Sequence, residues 1–270
     1  MKYHGGFIMR RNRLTLFLLV LFFLSPIAFA DAPSMIPIFV YHNMDPVKKG
    51  SMTVSTARFQ EQMQYLKNNG FTVIPLKEAV GYLQGKIASI PTKSVVITAD
   101  DGRAAVYKYM MPIIQKYHYP VTLFIFPGVI SHAPWALTWE QLKTLQNTGL
   151  FDIQDHTYWH PNFRQEKKHL SPAAFAKNVH YELVTSKAVL DQNLGTHITL
   201  LAWPFGIYNT QVENAASNAG YTMAFSIGYR CATKSDKAMA QPRYMIIQSQ
   251  TMKTFMAMAK CRMQPKHHTN

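Results

Sequence analysis

The chain has 270 residues and a formal net charge of +14, and 48% of its residues are hydrophobic and 13% aromatic. These proportions exclude a disordered chain. They allow one large α/β domain or two small domains with a substantial core.

The N-terminal segment has the pattern of a secretory signal peptide. Four basic residues precede the apolar run LTLFLLVLFFL, and Ala28-Phe29-Ala30 supplies small residues at the positions that a signal peptidase reads. The apolar run is shorter than the roughly 20 residues that span a bilayer, so we favour cleavage before Asp31 over an uncleaved membrane anchor. We therefore predict a signal peptide over residues 1–30 and one exported domain over residues 31–270, periplasmic or extracellular after cleavage.

In an exported protein, the net charge and the cysteines are interpreted for a compartment outside the cytoplasm. Subtracting the four basic leader residues from +14 leaves +10 on the mature chain. We expect no nucleic-acid partner, an affinity for anionic envelope surfaces, and a monomer. Cys231 and Cys261 could pair in an oxidising compartment, and two buried free thiols are the alternative that the sequence leaves open.

Strand patterns alternate with helix patterns along the mature chain. Strands are predicted at residues 36–42, 71–75, 95–98, 121–126, 151–154, 198–203 and 223–227. Helices are predicted after a Ser55 cap as far as Gly70, and at residues 77–83, 104–117, 138–146, 172–190 and 210–219. Continuous apolar strands separated by helices predict a parallel sheet covered on both faces, and seven or eight repeats indicate a closed or nearly closed barrel.

Polar residues follow two of the predicted strands. Asp100 and Asp101 come directly after one strand, and His156 and His160 follow another. Burying two adjacent carboxylates is costly unless a positive group compensates them. A divalent cation at the carboxyl edge of the sheet would do so, with the two imidazoles within reach of one ion if their segment turns helically.

The same residues resemble the motifs of a known family. Thr98-Ala99-Asp100-Asp101-Gly102 is similar to Thr-Phe-Asp-Asp-Gly, and His156-Thr157-Tyr158-Trp159-His160 is similar to His-Ser/Thr-x-x-His. These are the first two motifs of the polysaccharide deacetylases of the NodB-homology group, carbohydrate esterase family 4. The resemblance covers most of the mature chain and implies a distorted (β/α)7 barrel.

The resemblance also implies roles for these side chains. Asp100 would be the general base, and Asp101, His156 and His160 would hold a divalent metal, typically Zn²⁺. Asp100 would take a proton from a water molecule that attacks the acetyl carbon of an acetamido group.

The third family motif, Arg-x-Pro-Tyr-Gly, is altered here. The chain has Ala202-Trp203-Pro204-Phe205-Gly206, in which Pro204, Phe205 and Gly206 fit a loop that lines the sugar groove and offers a backbone amide to the oxyanion. The arginine, which orients the catalytic aspartate in the family, is missing. Either another residue replaces it or activity is impaired.

An N-terminal histidine extends the resemblance to one branch of the family. The biofilm poly-N-acetylglucosamine deacetylases have a similar Tyr-Pro-Phe-Gly variant and a Tyr-His pair after their first strand, which Tyr41-His42 matches. The resemblance implies that His42 is the general acid, because no Leu-x-His follows the third motif. An ordinary loop or core histidine is the alternative.

The resemblance implies a metal-dependent hydrolase that removes N-acetyl groups from a glycan containing N-acetylglucosamine, in the envelope or in an exported polysaccharide. A silent relative that only binds glycan, and an O-acetyl esterase with the same site, are the alternatives. The sequence leaves the polymer open among peptidoglycan, poly-N-acetylglucosamine and a chitin-like chain. Trp135 and Trp139 could be sugar platforms or barrel packing, and His267-His268 is expected in a solvated tail.

Overall fold

The computed structural model describes residues 1–5 and 35–263. Most of the predicted leader, residues 6–30, and the pair His267-His268 lie outside the described residues. Residues 1–5 are exposed and have no regular secondary structure. Among the residues described, no helix has both the length and the apolar character needed to cross a membrane.

Strands and helices alternate over residues 36–259, as predicted. The strands are β1 (Ile38–Tyr41), β2 (Asn43–Met44), β3 (Thr53–Val54), β4 (Thr72–Val73), β5 (Ser94–Asp100), β6 (Val121–Ile125), β7 (Phe151–Asp155), β8 (Leu200–Ala202), β9 (Met223–Phe225) and β10 (Tyr244–Met245). The helices are α1 (Thr56–Asn68), α2 (Leu76–Leu83), α3 (Met111–Tyr117), α4 (Trp139–Asn147), α5 (Phe163–His169), α6 (Pro172–His180), α7 (Ser186–Leu194), α8 (Thr210–Asn218) and α9 (Met252–Ala259).

Seven parallel strands form the barrel, in the order β10-β1-β5-β6-β7-β8-β9. The two ends of this order are joined through Gln241, whose N–H donates to the Ala224 carbonyl at 2.9 Å and whose carbonyl accepts from the Ser226 N–H at 2.8 Å. The chain then continues into β10, which pairs with β1. The predicted (β/α)7 barrel is confirmed.

The barrel is filled by alternate side chains of its strands. Phe124 of β6 and Phe225 of β9 have ring centroids 5.7 Å apart, although two strands lie between them in the sheet order. Such a contact can only be made across the interior. Neighbouring residues in each strand point the other way, as the two-residue period of a strand requires, and pack against the surrounding helices.

Two long helices contain a π-helical turn that the sequence pattern did not reveal. The turn Val106–Met110 precedes α3, and the turn Tyr181–Thr185 joins α6 to α7. Helix α4 begins with a capping box formed by Thr138 and Gln141. Cys231 and Cys261 form a disulfide, which resolves the alternative that the sequence left open.

Candidate active site

Four predicted site residues lie where barrel strands end. Asp100 is the last residue of β5, His42 follows β1, and His156 follows β7. Asp101 has a φ of 73°, and Gly102 after it has a φ of 68°, at which a side chain would be strained; a Cβ there would also lie only 3.1 Å from the side chain of Ile125. This tight turn brings both neighbouring carboxylates to the same end of the barrel.

Asp101, His156 and His160 form a cluster of potential metal ligands. The Asp101 Oδ1 lies 3.8 Å from the Nε2 of each histidine, and one ligand atom from each of the three residues lies within 4.8 Å of the others. The His156 Nδ1–H donates to the Ala202 carbonyl at 2.7 Å. That bond fixes the tautomer that leaves Nε2 unprotonated, which is the arrangement usual for a metal-binding histidine.

The donor set suits zinc. Two atoms that are each about 2.1 Å from one ion are at most about 4.2 Å apart, so the 3.8 Å separations fit a shared ion. One carboxylate oxygen and two imidazole nitrogens leave a position open, as in catalytic rather than structural zinc sites. The three residues therefore could hold a divalent metal.

The histidine segment brings its two imidazoles together without a helical turn. Residues 156–160 form a bend in which Thr157 has a φ of 65° and His160 a φ of 59°. The condition that the sequence set for the two imidazoles, a helical turn, is not met, yet their ring centroids lie 4.7 Å apart. Two left-handed residues reverse the chain and bring the second imidazole back toward the first.

A buried arginine that the sequence analysis missed binds Asp100. Arg243 donates from Nη1 to Oδ1 at 2.8 Å and from Nη2 to Oδ2 at 2.7 Å, and both side chains are almost fully buried. Burial raises the pKa of Asp100, but the charge of Arg243, the charges of His156 and His42 and the hydrogen bonds from Arg243 together outweigh burial and lower the carboxyl pKa to about 2. Asp100 is thus an ionised carboxylate at neutral pH, held in one orientation by a bidentate pair.

A second arginine, also missed, contacts the other carboxylate. The Arg103 Nε–H donates to Asp101 Oδ2 at 3.3 Å, so Oδ1 is the oxygen turned toward the histidines. The Arg103 guanidinium also lies 4.9 Å from the centre of the Trp135 ring. Neither contact was indicated by sequence spacing.

His42 lies beside this cluster with an unused nitrogen. Among the described residues, its buried Nδ1 has no hydrogen-bond partner. Burial lowers the pKa of His42, while the charges of Asp100 and Asp101 act in the opposite direction. The side chain borders the same cavity as both aspartates.

The cavity has a volume of about 780 Å³ and is edged by aromatic rings. Trp135 and Phe205 line it while remaining 40% and 60% exposed, and the Phe205 ring lies edge-on to His160 at 4.6 Å. Gly206 also lines the cavity, whereas Pro204 is buried beneath the loop. Trp139 packs against the core, so of the two tryptophans only Trp135 faces the cavity.

Comparisons with known proteins show which family this chain resembles in sequence. The sequence profile of the polysaccharide deacetylase family matches residues 88–224. A Bacillus subtilis protein named "Putative polysaccharide deacetylase YxkH" is 31% identical over 72% of this chain, which spans 64% of that protein. A poly-beta-1,6-N-acetyl-D-glucosamine N-deacetylase of Staphylococcus aureus is 26% identical over 77% of this chain and 72% of the relative.

A solved structure shares the fold. It is the Streptococcus pyogenes deacetylase PplD in complex with acetate, which superposes with a TM-score of 0.74 at 24% identity, over 84% of this chain and 99% of that one. The profile match spans half of the sequence and contains both aspartates and both histidines of the site. The chain belongs to the polysaccharide deacetylase family.

Proposed function

We propose that this protein is a zinc-dependent hydrolase that removes N-acetyl groups from an exported or envelope glycan containing N-acetylglucosamine. One observation carries the proposal: an ionised carboxylate, Asp100, adjoins the three-residue ligand cluster in one cavity. The Asp100 Oδ2 is 3.8 Å from the Nε2 of His156. This separation supports a general base beside a metal site, an arrangement that can hydrolyse an amide.

Each residue of the proposed site has a separate role in hydrolysis. Zinc held by Asp101, His156 and His160 would supply Lewis-acid chemistry, activating water and polarising the acetyl carbonyl. Asp100 accepts the proton of the attacking water, and Arg243 keeps its carboxylate oriented for that transfer.

His42 is the proposed proton donor to the departing amine. Its ring borders the cavity, and its unpartnered Nδ1 can hold a proton without breaking another contact. An amine leaves a tetrahedral intermediate only after protonation, so the site needs such a donor.

The loop of the third motif is proposed to bind the acetyl group and the sugar. Pro204 has no N–H, and the Gly206 N–H already donates to the Trp203 carbonyl at 2.9 Å. The Phe205 N–H is therefore the loop amide that we assign to the oxyanion. The exposed rings of Phe205 and Trp135 suit the apolar faces of a sugar.

Arg243 bears on the alternative of a silent glycan-binding relative. That alternative rested on the arginine missing from the third motif, and Arg243 supplies a guanidinium to the same aspartate from another part of the chain. A protein that only binds glycan gains nothing from burying this ion pair beside three further polar ligands.

Acetate release from a panel of polymers tests the proposal. The full exported chain, freed of metal and then reloaded with zinc, is incubated with poly-β-1,6-N-acetylglucosamine, peptidoglycan, chitin oligomers and an O-acetylated glycan. We expect zinc-dependent acetate release from the first of these, by analogy with the staphylococcal relative. Release from the O-acetylated glycan alone would favour the esterase, and binding without release would favour the silent relative.

Replacing His156 by alanine tests the ligand set. The variant should bind zinc at least about 100-fold more weakly in a calorimetric titration, because two ligands hold the ion poorly. His132→Ala is the matched control, since His132 is exposed and outside the cluster, and its zinc affinity should equal that of the wild type. Full zinc occupancy in His156→Ala would contradict the ligand assignment.

Replacing His42 by alanine tests the proton donor. The variant should keep zinc and glycan binding but lose about 100- to 10,000-fold in rate on N-acetyl substrates. An activated aryl acetate should be hydrolysed at a much less reduced rate, because a phenolate leaves without a proton. Equal losses on both substrates would give His42 a positioning role, and unchanged rates would leave it an ordinary histidine.

A further inference from the structure

The histidine segment adopts a backbone that its residues do not favour. Thr157 and His160 are both left-handed, with φ values of 65° and 59°, and neither is a glycine. Each such residue costs of order 1 kcal/mol or more, and persists only where surrounding contacts hold it. Something outside the segment must therefore fix this conformation.

The contacts come from Glu182, in the π-helical turn between α6 and α7. The Glu182 side chain is 2% exposed, and its Oε2 accepts from the Trp159 N–H at 2.8 Å. Its backbone carbonyl accepts from the Tyr158 N–H at 3.1 Å. The N–H groups of the two residues that precede His160 are thus bound by a single residue.

Gly128 contacts the opposite side of the same segment. Its N–H donates to the Tyr158 carbonyl at 3.1 Å, and a Cβ at this position would lie 2.4 Å from the Trp159 ring. The backbone before His160 is consequently held between Gly128 and Glu182, with little freedom to rotate.

The helix also holds the start of the segment. Ser186, one turn beyond Glu182, donates from its hydroxyl to Asp155 Oδ1 at 2.6 Å, and the Tyr221 hydroxyl donates to the other oxygen of Asp155. Asp155 directly precedes His156. This helix therefore contacts the segment that carries the two histidines both at Asp155, before His156, and at Trp159, before His160. The contacts come from the π-helical turn and the residue after it, and such turns are often found at functional sites.

Glu182 has no compensating cation. Among residues 35–263, no lysine, arginine or histidine forms a salt bridge with it, so only its hydrogen bonds can offset the cost of burying its carboxylate. The bonds that it makes go to the segment of the metal ligands.

We infer that Glu182 is a positioning residue of the metal site: by accepting the Trp159 N–H it holds His160 in the left-handed conformation that turns its imidazole toward Asp101 and His156. The inference rests on the proposed function, because it concerns the same metal site. Glu182 touches neither metal nor substrate, and acts only through the backbone.

Zinc affinity and apoprotein stability, measured together on the full chain, test this role. Glu182→Met keeps the packing volume but cannot accept the hydrogen bond, and should weaken zinc binding by about 10- to 100-fold. Glu182→Gln retains a carbonyl oxygen for the Trp159 N–H, and should bind zinc within about threefold of the wild type. Glu213→Ala removes a buried carboxylate from α8, and should leave zinc affinity unchanged even if the melting temperature falls.

The outcomes separate this inference from the proposed function. Wild-type zinc affinity in Glu182→Met overturns the inference alone, as does an equal loss in Glu182→Gln, since the hydrogen bond would then not be the cause. If the wild type itself binds no zinc, the proposed metal site fails and the inference fails with it. If Glu182→Met does not fold, a loss of zinc affinity in Glu182→Gln greater than threefold contradicts the inference.

Discussion

Replacing Asp100 by asparagine should leave zinc binding close to wild type and lower the rate of acetate release by about 100- to 10,000-fold. The amide cannot accept the proton of the attacking water, whereas the three ligands of the cluster are unchanged. Steady-state acetate release and a zinc titration on the same preparation measure both quantities. Since the amide leaves the buried Arg243 with an acceptor but no counter-charge, circular dichroism is needed to show that the variant is folded.

The neighbouring carboxylate provides the contrast. Asp101→Asn should lose zinc affinity and activity together, because Asp101 supplies the oxygen that lies 3.8 Å from both imidazoles. If the two variants lose metal equally, the roles of base and ligand are wrongly divided between adjacent aspartates.

Replacing Arg243 by methionine should have the largest effect on stability. Asp100 would remain almost fully buried without a counter-charge, which costs about 3 to 5 kcal/mol in the free energy of unfolding. The pKa of Asp100, now about 2, should rise because burial is no longer opposed by the guanidinium. Acetate release should fall as well, because the carboxylate loses the bidentate pair that orients it.

A surface ion pair offers the matched control for Arg243. Arg230 also pairs with an aspartate, Asp236, but its side chain is 42% exposed. Arg230→Met should change the unfolding free energy by no more than about 1 kcal/mol and should leave activity intact. Denaturant unfolding of both variants measures the difference. An Arg243→Met protein as stable and as active as Arg230→Met would contradict the role given to Arg243.

The barrel could be predicted because the alternation of strand and helix patterns recurs along the chain. Buried strands such as β5 read as continuous apolar runs, and each of the strands β4 to β8 is followed by a helix. β10 was missed because it contains only two residues and has no pattern of its own. Its place in the barrel is set by pairing with β1, a contact distant in sequence.

The ligand cluster was predictable because strand ends converge in a parallel barrel. Asp101 and the two histidines follow β5 and β7, and the order of the strands brings them together. A helical turn was not needed to bring the histidines together, because the spacing of four residues also suits a bend with left-handed backbone. The residue types of Thr157 and His160 do not by themselves predict a positive φ.

Arg243 could not be predicted from spacing. It lies 143 residues after Asp100, and its approach depends on the way the chain returns to close the barrel beside β1. The missing arginine of the third motif was the only sign that a substitute was needed. The structure supplies one by tertiary packing rather than by a motif.

The central claim, zinc-dependent removal of N-acetyl groups, is tested most directly by matching acetate release to new free amines on the glycan. Zinc-loaded and metal-free full chains are incubated with poly-β-1,6-N-acetylglucosamine oligomers, and acetate and primary amines are measured in the same sample. We predict one new amine for each acetate with zinc, and neither without it. Acetate without new amines, or equal release by the metal-free chain, would contradict the claim.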